Sequence, residues 1–318
     1  MGPRPGIARL SLVTAAVSLA GVCLASTPTY GYVRKRTDGG VAEYWQVSCV
    51  PVTIYTYGFT DMTRDQVATS IGAAAHTWSP TEVTCADGTT HPFLEIVTEM
   101  ADEGKKPPLP AWDGQNTVIF YTPSLQPPPD NPIYNSSSIV ALTSVFARAN
   151  GKIVDADVQI NNIVYPFTNR DPGFVPPGNG QGDYAFDLQN AVTHELGHLQ
   201  GLGHTCWDPF SDLEQPIDDM NNGAPNCESP DAAAVADTVM FATISGPTEV
   251  SKRVLSADDI RAVCSIYPPT MDPNSCSTQT PNDGCGCGTA GTTPALAAVV
   301  FVAWVIGVQL ARRRRRRR

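Results

Sequence analysis

Residues 194 to 204 read His-Glu-Leu-Gly-His-Leu-Gln-Gly-Leu-Gly-His and hold three of the five histidines in this 318-residue chain. On a helix of about 3.6 residues per turn, His194 and His198 lie one turn apart and point the same way. Two imidazoles on one helix face can grip a single tetrahedral Zn²⁺. Glu195 follows the first of them directly, so its carboxylate sits beside a metal rather than on it, within reach of water held there. Gly201 lets the chain leave the helix through a left-handed residue, and that turn can bring His204 back as a third ligand. A fourth position is left for water, as catalytic zinc requires. A bare His-Glu-x-x-His pair also arises on ordinary amphipathic helices, but the added glycine and third histidine at fixed offsets make the pattern highly specific.

These side chains need a helix with a buried back. Asp187 can cap it, and Leu188, Ala191, Val192, Leu196 and Leu199 supply its apolar side. Upstream, Ser48 to Tyr57 alternates like a strand, and Thr63 to Trp78 has helical spacing with Asp61 or Thr63 as the start signal. Phe93 to Val97, Thr117 to Thr122, Ile139 to Ala149 and Lys152 to Ile160 read as strands. Pro-rich stretches at 106–110 and 126–132 and the Gly/Pro stretch 171–183 read as loops. A further helix is expected from Ala257 to Tyr267.

The zinc residues are similar to the signature of the metzincin metalloproteases, matched in full by His194, Glu195, His198, Gly201 and His204. The resemblance implies a methionine turn beneath the metal, for which Met240 in Asp-Thr-Val-Met-Phe is the candidate. Astacin- and serralysin-like members carry a tyrosine two residues after that methionine. Here the position is Ala242, so the chain looks more like the matrixin branch, and Leu255 to Tyr267 resembles the closing helix of matrixin catalytic domains. The likeness spans residues 41–269. It implies an α+β fold: a twisted, mostly parallel sheet with an antiparallel edge strand, an active-site helix and a C-terminal helix. By resemblance Val140 to Phe146 is that edge strand, whose open side can pair with an extended peptide. The implied activity is zinc-dependent endopeptidase hydrolysis of peptide or protein substrates, with Glu195 as base. Two features depart from the pattern. Residues 205–239 separate His204 from Met240 where matrixins have a short loop, and no latency cysteine precedes the first strand.

Composition places this domain outside the cell. Residues 1–25 look like a secretory signal peptide, with Arg4 and Arg9 before an apolar run and cleavage after Ala25; 26–40 form a short N-terminal segment. Eight of nine cysteines follow the leader, which suits an oxidising compartment. Proximity suggests the pairs Cys49–Cys85, Cys206–Cys227 and Cys264–Cys276. Residues 270–293 form a Cys/Gly/Thr-rich linker containing Gly-Cys-Gly-Cys-Gly, and 294–318 an eighteen-residue apolar segment followed by seven arginines. That tail resembles the tripartite MYXO-CTERM sorting signals of myxobacterial surface proteins, implying membrane association before or instead of cleavage near Cys285 or Cys287. Without the leader and tail arginines, 12 basic face 31 acidic side chains, about −19 against the whole chain's −10. Such a surface excludes electrostatic binding to nucleic acid and is repelled by anionic membranes.

Other polar groups offer less. Asp155, Asp157 and Asn161 could supply oxygen ligands to a structural Ca²⁺, or form a solvated strand face. The acidic run Asp208, Asp212, Glu214, Asp218 and Asp219 lacks EF-hand spacing and reads as a flexible insertion beside the cleft. His76 and His91 have no ligand spacing. Two other functions stay open: a surface-displayed structural or binding module whose zinc is closed by a fourth ligand, for which Cys206 is near enough, and a metallohydrolase acting on non-peptide bonds. For the tail, mass analysis of the mature C-terminus is expected to show loss of the arginines, and an intact arginine tail rules out sorting.

Overall fold

Val50, Val52 and Ile54 alternate along the second strand, and all three are buried, as the period of two in a strand requires. In a computed structural model of the protein we describe residues 30–169, 185–209, 214–247 and 249–274. The leader, the 171–183 loop, the cysteine-glycine motif and the hydrophobic and arginine segments lie outside them. The elements run β1 (Val33–Arg34), β2 (Cys49–Tyr55), α1 (Arg64–Thr77), β3 (Glu95–Met100), β4 (Thr117–Tyr121), β5 (Ala141–Ala147) and β6 (Ile153–Asn161). There follow β7 (Phe167–Thr168), β8 (Phe186–Asp187), α2 (Leu188–Leu199), β9 (Leu202–Gly203) and α3 (Ala257–Ile266).

The architecture is mixed α and β. A five-stranded sheet has the order β3-β2-β4-β6-β5. Its first four strands are parallel and β5 runs antiparallel to β6 at one edge. The expected strands and helices are all present, with ends shifted by a few residues. Thr63, not Asp61, starts α1: its hydroxyl accepts from Gln66 N while the Gln66 side chain accepts from Thr63 N, a reciprocal cap. Asp61 instead accepts from Asn162 and from Phe167 N.

One face of the sheet, bearing Val52, Ile54, Val118, Phe120, Val158 and Ile160, packs with Ile71 of α1 and Leu196 of α2 into the main core. On the other face Ile119 and Tyr121 pack with Ile133 under the 122–140 loop. That second face corrects the expectation of a solvated stripe on β6. Asp155, Asp157, Gln159 and Asn161 are all buried. Asp155 Oδ2 accepts from Asp113 N at 2.8 Å and Gly114 N at 2.6 Å. Asp157 accepts from Ala111 N at 3.1 Å and from the Thr117 hydroxyl at 2.5 Å. Asn161 Nδ2 donates to Ile139 O at 2.8 Å. Covering loops bring backbone groups that must find partners away from water, and the stripe supplies them. Asp155 Oδ2 and both Asp157 oxygens, once eligible for calcium, are thereby spent on the covering loop and on β4, while Asp155 Oδ1 and Asn161 Oδ1 have no hydrogen-bond partner among the described residues.

Two disulfides are defined. Cys206–Cys227 forms as expected, closing 21 residues. Cys85 pairs instead with Cys264, 179 residues away, which overturns Cys49–Cys85 and Cys264–Cys276; Cys49 is itself disulfide-bonded. The reason is tertiary. The segment after α1 lies against α3, where Phe93 N donates to Tyr267 O at 2.9 Å and the two rings meet edge to face at 5.4 Å. The acidic insertion also differs from expectation in its described part. Asp218 is buried and accepts from Gly31 N at 2.9 Å and Asn222 N at 2.7 Å, so it anchors a built turn. Among the described residues no helix is long and apolar enough to cross a membrane.

Burial raises the Asp157 carboxyl to about 7, with Thr117 pulling it down and Asp155 pushing it further up. The folded protein therefore keeps a proton that the unfolded chain releases near pH 4, the ordinary aspartate range of about 3.9. Stability from this group is full below that pH and is lost as pH rises through about 7. Asp157→Asn, which keeps an oxygen for Ala111 N and can donate to Thr117, is expected to flatten the decline in urea midpoint between about pH 4 and pH 7. An unaltered slope in the variant would show that Asp157 does not carry it.

Candidate metal centre

Helix α2 carries the first two histidines and is fixed along its whole length. Asp187 caps it, accepting from Asn190 N at 2.7 Å, and its carboxylate also receives Arg253 Nε at 2.8 Å. Leu188, Ala191, Val192, Leu196 and Leu199 are each exposed by 1 % or less, so the predicted apolar side is the buried one. Indoles and a phenol donate to its carbonyls, two of them at the C-terminal end where no intrahelical partner exists. Trp78 Nε1 donates to Thr193 O at 2.9 Å, Trp45 Nε1 to Leu199 O at 2.8 Å, and Tyr267 OH to Gln200 O at 2.6 Å.

The chain turns at Gly201, whose φ is +88°. A Cβ there would lie 2.6 Å from Glu43 O, so both conformation and space demand glycine. β9 then pairs with β1, Val33 opposite Gly203 and Arg34 opposite Leu202, and Lys35 N donates to Gly201 O at 2.9 Å. This strap holds the turn that returns His204.

The three histidines converge. Their ligand atoms all lie within 4.8 Å of one another, and His198 Nε2 is 3.0 Å from His204 Nε2. His194 Nδ1 is 2.6 Å from Val239 O and His198 Nδ1 is 2.8 Å from Leu202 O. A carbonyl only accepts, so each Nδ1 carries the hydrogen and each Nε2 turns a lone pair to the common centre. Burial pushes both imidazoles well below their ordinary range, with Lys252 adding to the effect at His194 and His204 at His198. Neutral nitrogen donors are the form a metal binds. This group could hold a metal ion.

Glu195 is 5 % exposed. The Thr143 hydroxyl of β5 lies 2.6 Å from its Oε2. Burial raises its carboxyl to about 7, against the pull of Thr143 and then of Lys35 and Lys252.

Met240 lies beneath the helix, 1 % exposed. A Cβ on Gly197 would come within 2.2 Å of its sulfur, so Gly197 is what lets the two segments touch. The neighbouring Val239 is held at both ends: its N–H donates to Asp259 Oδ2 at 2.9 Å, and its carbonyl receives Lys252 Nζ at 3.0 Å as well as His194. Lys252 Nζ also donates to Phe241 O at 2.5 Å. Burial lowers this ammonium to about 8, with Glu249 and Asp259 resisting.

The three predicted histidines are thus brought together, and Glu195, next to His194, is buried against Thr143. Cys206, a candidate fourth ligand, is not available, since its sulfur is bonded to Cys227. His76 stands 3.5 Å from Glu82 at the surface, and His91 Nδ1 meets Val83 O at 2.7 Å; neither joins the group. Sequence reasoning missed Thr143 and Lys252. Thr143 had a readable signal, a polar residue on the face of β5 that carries Ala141 and Val145. Lys252 had none. In comparisons with known proteins, no family model matches the chain and no curated protein matches it in sequence.

Two variants separate metal holding from loop closure. His198→Ala is expected to abolish stoichiometric metal binding by equilibrium dialysis. Paired Cys206→Ser and Cys227→Ser should keep one metal per chain while losing about 3 kcal/mol of stability, the loop-entropy value for a closure of this size. Metal lost from the serine pair would return Cys206 to the ligand set.

Proposed function

We propose that the chain is an exported zinc endopeptidase of the metzincin class, most similar to matrixins. The observation that carries this reading is the convergence of three imidazoles, with Glu195, next to His194, buried and hydrogen-bonded to the sheet's antiparallel edge strand. The donor set fits zinc: three imidazole nitrogens, two with their tautomer fixed by backbone carbonyls, and no fourth His, Cys, Asp or Glu in the group among the described residues. Bound zinc supplies Lewis acidity, which lowers the pKa of water and polarises a peptide carbonyl.

The chain's own residues do the rest. His194, His198 and His204 would hold the metal. Glu195 takes the proton from attacking water and returns it to the leaving amine, in a setting where the low dielectric strengthens each interaction. β5 has β6 on one side only among the described strands, so its outer edge can add an extended peptide as a further strand. Backbone pairing of that kind places the scissile bond with little demand on side-chain sequence. Lys252 and Asp259 keep the Val239–Phe241 backbone, and with it His194, in register.

The competing structural reading needs a fourth protein ligand, and its best candidate is consumed by a disulfide. The signal peptide and the cysteine-arginine tail support export and display at the cell surface. Glu195→Gln is expected to keep one zinc per chain and lose cleavage of a diverse peptide library by about 100-fold or more, the range for a lost general base. Chelation should abolish wild-type cleavage. Full activity in Glu195→Gln would remove the base assignment, and a zinc-loaded wild type that cuts no peptide would favour a non-peptide substrate.

A further inference from the structure

Strand β5 meets the base through one hydroxyl. Its residues alternate, and the side that carries Ala141, Val145 and Ala147 packs on the main core. Thr143 shares that side and is 4 % exposed, where an apolar side chain is the ordinary occupant. Thr143 Oγ1 lies 2.6 Å from Glu195 Oε2 and 3.1 Å from Glu195 O. Both are acceptors, so the hydroxyl donates, and the shorter contact to a carboxylate is the stronger one.

A glutamate side chain has three rotatable bonds, and its place on α2 fixes only where they begin. One oxygen tied to Thr143 leaves the other to face the reactants. We propose that Thr143 is the positioning residue of the base: it pins Glu195 Oε2 to the strand that lines the cleft, so the strand that aligns a peptide also aims the group that acts on it. The backbone oxygen at 3.1 Å gives the hydroxyl a second acceptor on the same residue. This inference rests on the peptidase reading for its kinetic consequence and on geometry alone for the contact.

Thr143→Val keeps the shape and removes the donor, and Thr143→Ser keeps the donor. In the zinc-loaded full chain Thr143→Val is expected to lower kcat about tenfold or more with KM within about twofold, since the lost contact acts on the base rather than on substrate binding. Chelator competition should give wild-type metal affinity for both variants, and Thr143→Ser should stay within about threefold of wild-type kcat. An activity-independent arm measures urea unfolding in a double-mutant cycle with Glu195→Ala. Thr143→Val should shift the unfolding constant about fivefold or more when Glu195 is present and about twofold or less when it is absent. Thr143→Ala replaces the valine variant if valine does not fold. Unchanged kcat in Thr143→Val, equal loss in Thr143→Ser, or the same unfolding shift in both backgrounds overturns the proposal. A wild type that cleaves no peptide sinks the peptidase reading, while the unfolding cycle still decides the contact.

Discussion

Two hydrogen bonds from imidazole Nδ1 atoms to backbone carbonyls organise this molecule: His194 to Val239 O and His198 to Leu202 O. Each fixes a tautomer and a ring plane, and so decides where an Nε2 lone pair points. Neither carbonyl belongs to a regular helix, so each must be held by something else. Val239 is clamped by Asp259 at its N–H and by Lys252 at its oxygen. Leu202 is held by pairing with β1 after the turn at Gly201. The N-terminal strap, the methionine segment and α3 all converge on those two acceptors. Burying an ammonium is costly unless its donors are used, and Lys252 uses them on two carbonyls of one turn.

The site's electrostatics follow from the same burial. Desolvation disfavours charge on His194, His198 and Glu195 alike. For the imidazoles this means neutral donors. For the glutamate it means a carboxyl with higher proton affinity than one in water, partly restored by the Thr143 hydroxyl. A divalent cation held by the three histidines would reverse that balance by favouring the carboxylate.

Local chemistry was legible in the sequence, and contacts between distant segments were not. The helical period of Leu188, Ala191, Val192, Leu196 and Leu199 gave the buried side of α2, and glycine at 201 gave the turn, because both depend on residues a few positions apart. The edge strand was also placed. By contrast, Asp155 and Asp157 showed only that they share a strand face; that the 109–114 loop folds over them depends on chain more than forty residues away. Cysteine pairing failed for the same reason. Cys85 is near Cys49 in sequence, but α3 brings Cys264 to it. Thr143 was hidden because its partner lies 52 residues on, although a hydroxyl on an apolar face is itself a mark of a buried polar contact.

The long connection from His204 to Met240 poses an energetic question, because a floppy loop tied to a ligand would blur the site. Loop closure grows only slowly with length, about 0.6 kcal/mol per doubling, so length alone is tolerable. Order matters more, and it is restored at short intervals. Thr205 N donates to Met240 O at 3.0 Å and the Thr205 and Thr238 hydroxyls meet at 2.7 Å, tying the two ends of the loop together. Cys206–Cys227 closes the next stretch, and Trp207 N to Pro225 O at 2.7 Å with Cys227 N to Trp207 O at 3.0 Å continues the ladder. Asp218 then anchors the middle to the N-terminal strap. Because the loop is pinned at its base, His204 and Met240 are neighbours in space regardless of the chain between them, and the intervening residues can vary in shape without moving a ligand.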